Sequence, residues 1–260
     1  LREEKAKLPS QASAVAAVAT RRIIRIMLSV LYSAAGGLNA AEKTQEALAR
    51  NIAHASHHGY KRATLQFAEE LREAGATAVS LKEGIAFDQG ELLRTDLPLD
   101  MALEGDGFFT LQKPDGGLAY TRKGSFVQGA DGRIVTSTGL TVLGISGPIL
   151  LPPGSTVQVA PNGTVLGRGE TVGKFRLAAF PDKSVLKRAG STLFEEAGDV
   201  STAMPALDCS VRQGFLESSN VNVLTEMVRM IENSRAFQAS QRIASAADSA
   251  MSSLTKAAEG

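Results

Sequence analysis

Histidines, carboxylates and thiols are where chemistry would have to start, and this chain is sparing with them. Its three histidines are His54, His57 and His58. His54 and His58 stand four residues apart, on one face of a helix, a spacing that can grip a metal ion. No other histidine completes the shell, and the one cysteine, Cys209, lies far along the chain. Gly59 follows directly and reads as a helix stop. The patch is therefore expected to hold no physiological metal. Asp100, Glu104 and Asp106 could make a carboxylate pair for acid–base work, yet Glu104-Gly-Asp-Gly107 has the composition of a turn leading into Phe108 and Phe109. Gly167-Arg-Gly-Glu-Thr-Val-Gly-Lys174 is only loosely like a phosphate loop, since its glycine spacing is wrong and Phe175 stands where Ser or Thr would reach magnesium. The serines have no histidine outside the patch, so a Ser-His-Asp triad is unsupported. Cys209 reads as a small packed side chain rather than a nucleophile. No catalytic residue, metal or cofactor is expected.

The elements that would carry such groups follow from pattern and composition. Hydrophobic residues make up 43% of the 260 and charged residues 21%, a globular balance. Net charge is +1, from 28 basic and 27 acidic side chains, so the chain lacks the field of a dedicated nucleic-acid binder. A single cysteine excludes an internal disulfide framework. Aromatics are 5% with no tryptophan, which disfavours a sugar-binding cleft. No run approaches the roughly 18 apolar residues of a membrane span, so bilayer insertion is not expected. Residues 1–26 read as an atypical extension, with Arg21, Arg22 and Arg25 after a weak apolar run instead of before it, the reverse of a secretory signal. Met27 would be the natural first residue.

From Met27 to about Glu70 the pattern is helical. Leu31, Leu38, Gln45 and Ile52 recur every seven residues, with Ala34, Ala41, Leu48 and Ala55 three further on. That is a narrow apolar seam, the pattern of a coiled-coil face, which Gly36–Gly37 is expected to interrupt. Residues 27–83 form this helical segment and its linker. Over 84–215, strand-like runs are separated by Asp115–Gly116, Asp131–Gly132 and Asn162–Gly163, pairs suited to tight hairpins. This stretch reads as an antiparallel β domain. Over 216–260 the heptad returns in Val223, Met230, Phe237, Ala244 and Met251, with Asn222 as N-cap and Glu226 in the first turn. The expected fold is mainly β, with N- and C-terminal helices that pair as a coiled coil.

Three stretches carry a resemblance. The first is Leu31-Tyr-Ser-Ala-Ala-Gly-Gly-Leu-Asn-Ala40, continuing in Asn51 and in Gly59-Tyr60-Lys61. The second is Asp96-Leu-Pro-Leu99-Asp100-Met-Ala-Leu-Glu-Gly105-Asp-Gly107-Phe108-Phe109, followed by Tyr120-Thr-Arg-Lys-Gly-Ser-Phe126. The third is Gly214-Phe-Leu-Glu-Ser-Ser-Asn220-Val221-Asn222 with Glu226-Met-Val-Arg-Met-Ile231. Together, in this order, they resemble the bacterial flagellar basal-body rod protein family, over Met27 to about Thr255. Within it the short β insert is most like the two larger rod subunits, leaning to the proximal type over the distal. Arg50 and His54 stand where the family favours Asn, and His57–His58 replaces a Thr-rich turn. Residues 1–26 have no family counterpart.

The resemblance implies assembly, not catalysis. It implies export through the flagellar type III apparatus without a cleaved signal peptide. It implies polymerisation with copies of itself and with other rod and hook-basal-body proteins, to form the rod that crosses the periplasm. The expected assembly contacts are Leu31, Leu38, Leu48, Ile52, Val223, Met230, Phe237 and Met251. Two rival functions remain open to the sequence. A secreted cell-wall enzyme would need Asp100 and Glu104 to converge, and a binding module would use the helices as an oligomerisation stalk.

Overall fold

Three hairpin turns of the β region share one device. The side-chain oxygens of Asp115, Asp131 and Asn162 each accept a hydrogen bond from the backbone N–H two residues on, at 2.8, 3.1 and 3.0 Å. The intervening Gly116, Gly132 and Gly163 take positive φ of 85, 84 and 82°. Local chemistry thus sets the strand ends where the sequence marks them.

A computed structural model describes residues 11–71, 77–198 and 201–259. Its architecture is mostly β with two long helices, α1 (Gln11–Ala53) and α2 (Val223–Glu259). The contacts divide the chain into two units: the described residues of Leu1–Ala47, Phe67–Leu81 and Val228–Gly260, and those of Leu48–Gln66 and Lys82–Met227.

In the first unit, α1 and α2 run antiparallel. Asn233 of α2 donates to the Ala41 carbonyl at 2.8 Å and to Gln45 Oε1 at 3.0 Å. One heptad further on, Ser240 lies against Gly37, where an added Cβ would sit 3.1 Å from its Oγ. Gly36–Gly37 therefore does not interrupt the helix. The roughly 1 kcal/mol that each glycine costs a helix is set, at Gly37, against close approach by α2. Ala34 and Ala41 are buried; Leu31, Leu38, Gln45, Met230, Phe237, Ala244 and Met251 are half-buried.

The helical reading to Glu70 needs correction. α1 ends at Ala53, and β1 (Ala63–Leu71) then pairs with β2 (Thr77–Ile85). The reason is a distant partner: Asn51 bonds both the N–H and the C=O of Ala63, at 2.8 and 3.0 Å, standing in for a neighbouring strand. The β region accordingly begins before residue 84.

In the second unit, β3 (Leu92–Arg94) pairs antiparallel with Phe215–Glu217, and β4 (Met101–Glu104) with Ser210–Gln213. A ten-stranded sheet is built on β5 (Phe108–Gln112), flanked by β6 (Leu118–Thr121) and β9 (Thr141–Gly144), with β7 (Phe126–Gln128) and β8 (Ile134–Thr136) beyond β9. Side chains alternate across a strand, so the adjacent Phe108 and Phe109 enter two different cores. Phe109 meets Phe126 and Phe175 at 5.0 and 5.6 Å between ring centroids. Phe108 meets Phe180 and Phe194, both at 5.9 Å. α2 begins as expected, Asn222 Oδ1 accepting from the Thr225 N–H at 3.1 Å.

Cys209 packs against the Phe109 core and lines a cavity of about 470 Å³ with Phe175, Leu177 and Met204. Burial pushes its thiol up to about 11. Against an ordinary thiol value of 9.0, that leaves on the order of 100-fold less thiolate at neutral pH. Alkylation of the native protein at about pH 8 should therefore be slower than in urea by roughly that factor. Equal rates in the two states would contradict this placement.

Candidate functional site

The sequence blocks that carry the resemblance meet in one place in the second unit, around a carboxylate with no access to water. Glu217 ends the strand Phe215–Glu217, and its side chain is fully buried. Lys61 Nζ donates to Glu217 Oε1 at 2.5 Å and to the Asp88 carbonyl at 2.7 Å. Arg122 Nη1 approaches Glu217 Oε2 at 3.5 Å, and the Gly90 N–H donates to Oε1 at 2.9 Å. Arg122 Nη2 reaches the Gly105 carbonyl at 2.7 Å and lies 3.8 Å from Asp106. Burial pushes the Lys61 ammonium below its ordinary value, opposed by Glu217.

Gly59 brings the turn after α1 onto this cluster. Its N–H donates to the Glu217 backbone carbonyl at 2.7 Å, and its φ is +72°. A Cβ there would fall 2.4 Å from the Lys123 nitrogen, backbone against backbone. No other residue type fits that contact.

Beside the carboxylate, Asn51 makes four hydrogen bonds. It accepts from Tyr60 Oη at 3.0 Å and from the Ala63 N–H, and donates to the Ala63 carbonyl and to Glu226 Oε2 at 2.9 Å. The last turn of α1 and the first turn of α2 are thereby tied together. Asn220 works similarly: its Oδ1 accepts from the Arg62 N–H at 2.7 Å, and its Nδ2 donates to the Ala86 and Asp88 carbonyls. Arg188 closes the assembly, donating to the Lys61 carbonyl at 2.6 Å with its guanidinium 4.7 Å from the Tyr60 ring centroid.

The motif residues therefore converge: Asn51, Gly59, Tyr60, Lys61, Gly105 and Asn220 all touch this clasp directly. Leu99 and Asp100 serve the adjoining backbone, their carbonyls accepting from Phe126 and Gly214. Gly107 lets Cys209 pack close. Phe108 lies 5.3 Å beneath the Arg122 guanidinium. The Val221 N–H donates to Ser219 Oγ, and Asn222 caps α2. Sequence reasoning missed Glu217, Arg122, Arg188 and Glu226 as partners. A charge inside the apolar run Phe215-Leu-Glu was the one available signal.

The residues singled out for catalysis do not assemble. Glu104 pairs with Arg212 at 2.7 Å, and Asp106 with Lys183 at 2.7 Å. These bonds hold both carboxyls below their usual range. Asp100 is buried and occupied through its backbone. Among the described residues no group of three or more His, Cys, Asp and Glu side chains could hold a metal ion. His54 instead stacks on Tyr60 at 5.1 Å.

Two family models match this chain. One, described as flagellar basal body rod FlgEFG protein C-terminal, matches residues 212–257, and the other, flagellar hook protein FlgE/F/G D1 domain, matches 102–167. Flagellar basal-body rod protein FlgG of Buchnera aphidicola subsp. Acyrthosiphon pisum is 31% identical over 88% of this chain and its own whole length. FlgF of Rhizobium meliloti is 34% identical over 81% of the chain and 90% of the relative, and FlgF of Salmonella typhimurium 33% over 84% and 93%. The chain belongs to the flagellar basal-body rod protein family. Rod proteins are structural, and this family member is not an enzyme. Its clasp joins the two matched stretches, Arg122 coming from one and Glu217 from the other.

Glu217→Gln keeps the shape and removes the charge, leaving Lys61 and Arg122 buried without their anion. Urea unfolding should show a loss of about 3–5 kcal/mol. Glu104→Gln, at an exposed pair, should leave the unfolding midpoint in place. Equal effects of the two changes would refute the clasp.

Proposed function

We propose that this rod-family member is a structural subunit that polymerises through its terminal helices, forming part of the flagellar rod across the periplasm. One observation carries the reading: α2 is apolar on two faces. Met230, Phe237, Ala244 and Met251 are half-buried on the side from which Asn233 and Ser240 reach α1. On the other side, Leu224, Val228 and Ile231 are 75, 55 and 56% exposed, with Met227 beside them. Their spacing of three and four residues makes a continuous stripe. Burying such a stripe against neighbours yields about 25 cal/mol per Å², offset by the cost of ordering the partners.

In this reading the seam residues Leu31, Leu38, Leu48, Ile52, Met230, Phe237 and Met251 hold α1 and α2 as an antiparallel coiled coil. Val223, Leu224, Val228 and Ile231 then meet adjacent subunits. In the rod, α1 and α2 supply the contacts between subunits. Partners are further copies and other rod and hook-basal-body proteins. Export through the flagellar type III apparatus without a cleaved signal is part of the same reading. No helix among the described residues is long and apolar enough to cross a membrane.

The test introduces charge on the outward stripe in a strain lacking its own rod protein, with FlgF and FlgG deletions complemented separately to assign rod position. Ile231→Asp should preserve helix content and unfolding midpoint in the purified subunit, because Ile231 is exposed there. It should abolish rods in electron micrographs and swimming in soft agar, because the carboxylate would be buried between subunits at a cost of several kcal/mol. A variant that swims and builds rods like the unaltered protein would remove the stripe from assembly.

A further inference from the structure

We propose that the turn after α1 is a proton-sensitive seat: neutral His54 packs on Tyr60 and holds the turn, and protonated His54 loosens it. The His54 ring lies 5.1 Å from that of Tyr60, tilted by 27°. Its Nδ1 is buried and has no hydrogen-bond partner among the described residues. A neutral imidazole tolerates this with its proton on Nε2. A protonated imidazole carries N–H on both nitrogens, so its Nδ1 would become a charged donor buried without an acceptor, the costly case.

The surrounding charges add to this penalty. Arg50 lies one turn back on α1, and His57 stands edge-on at 4.8 Å. Arg188, from the strand Leu186–Arg188, already occupies the Tyr60 ring at 4.7 Å. Two carboxylates face the cluster and both are engaged: Glu83 of β2 with Arg50 at 2.9 Å, and Glu226 of α2 with Asn51 at 2.9 Å. A proton on His54 thus enters a group of cations. Burial first, then His57, Arg188 and Arg50, holds His54 below its ordinary 6.5. The folded state therefore binds this proton less readily than the unfolded chain. Stability is complete above the ordinary histidine value and falls as pH drops through it to the lower folded one.

The consequence reaches the clasp. Tyr60 Oη donates to Asn51, and Lys61, the next residue, holds Glu217. Displacing Tyr60 therefore loosens the last turn of α1 from its seat.

The experiment follows the histidine ring resonances of the full chain by NMR from about pH 8 to 5. His57→Asn and His58→Asn assign the signals. Urea unfolding and amide protection at Lys61 and Ala63 are measured over the same range. His54 should titrate below the free imidazole value. Stability and protection should fall with acidification in the unaltered protein, and His54→Asn should flatten both. A His54 midpoint at or above the ordinary value overturns the proposal, as does a His54→Asn variant that weakens with acid just as the parent does. Should that variant fail to fold, the titration of the unaltered protein decides alone.

Discussion

A carboxylate removed from water has to be met by positive charge and N–H donors, and the interior around Glu217 is arranged to meet that demand. Two cations and a backbone N–H converge on its oxygens from segments 156, 95 and 127 residues away in sequence. Taking these ions out of water costs several kcal/mol each, so the network contributes little net stability compared with an apolar core of equal volume. Its worth lies in what it forbids. Any arrangement that separates Lys61 from Glu217 leaves a charge buried alone. The surplus positive charge is led outward: Arg122 lies 3.8 Å from Asp106, which bonds Lys183 at the surface.

Around this constraint the rest of the seat is built from neutral polar groups. Asn51 presents an amide to the backbone of Ala63 as a neighbouring strand would, so α1 can end and β1 begin without orphaned peptide groups. Gly59 permits the chain between them to press against Lys123, and the Glu217 carbonyl receives its N–H. One residue, Glu217, thus fixes the turn by its backbone and the clasp by its side chain. The Phe108–Phe109 pair then joins this region to two cores, because Phe108 lies beneath Arg122 while Phe109 faces the opposite side of β5.

What could be read from the sequence divides along the range of the interactions. The heptads of α1 and α2 and the Asx–Gly turns depend on neighbours a few residues away, so periodicity and turn composition disclose them. The end of α1 does not, because it is set by Asn51 meeting Ala63 and by Gly59 meeting Lys123. The helical pattern past Ala53 therefore misled. Gly36–Gly37 was misread for the same reason, since the value of Gly37 lies in Ser240 on the other helix. Asn51, Gly59 and Lys61 were recognisable as a signature but not as a mechanism. Their partners Glu217 and Arg122 have no local pattern to betray them.

The polar residues of the α2 seam follow from the weakness of the opposite face. α1 presents Ala34 and Ala41 inward, small side chains that would accept a partner displaced by one heptad almost as well as in register. Along α2 the facing positions are Glu226, Asn233 and Ser240, each one heptad after the last. Asn233 finds Ala41 and Gln45, Ser240 finds Gly37, and Glu226 finds Asn51. A displacement by one heptad would break all of these at once. Polar groups at seam positions cost stability and fix register. A fixed register within the pair is what these contacts enforce. The polar seam along α2 and the buried carboxylate in the strand Phe215–Glu217 therefore answer one need, specificity of arrangement.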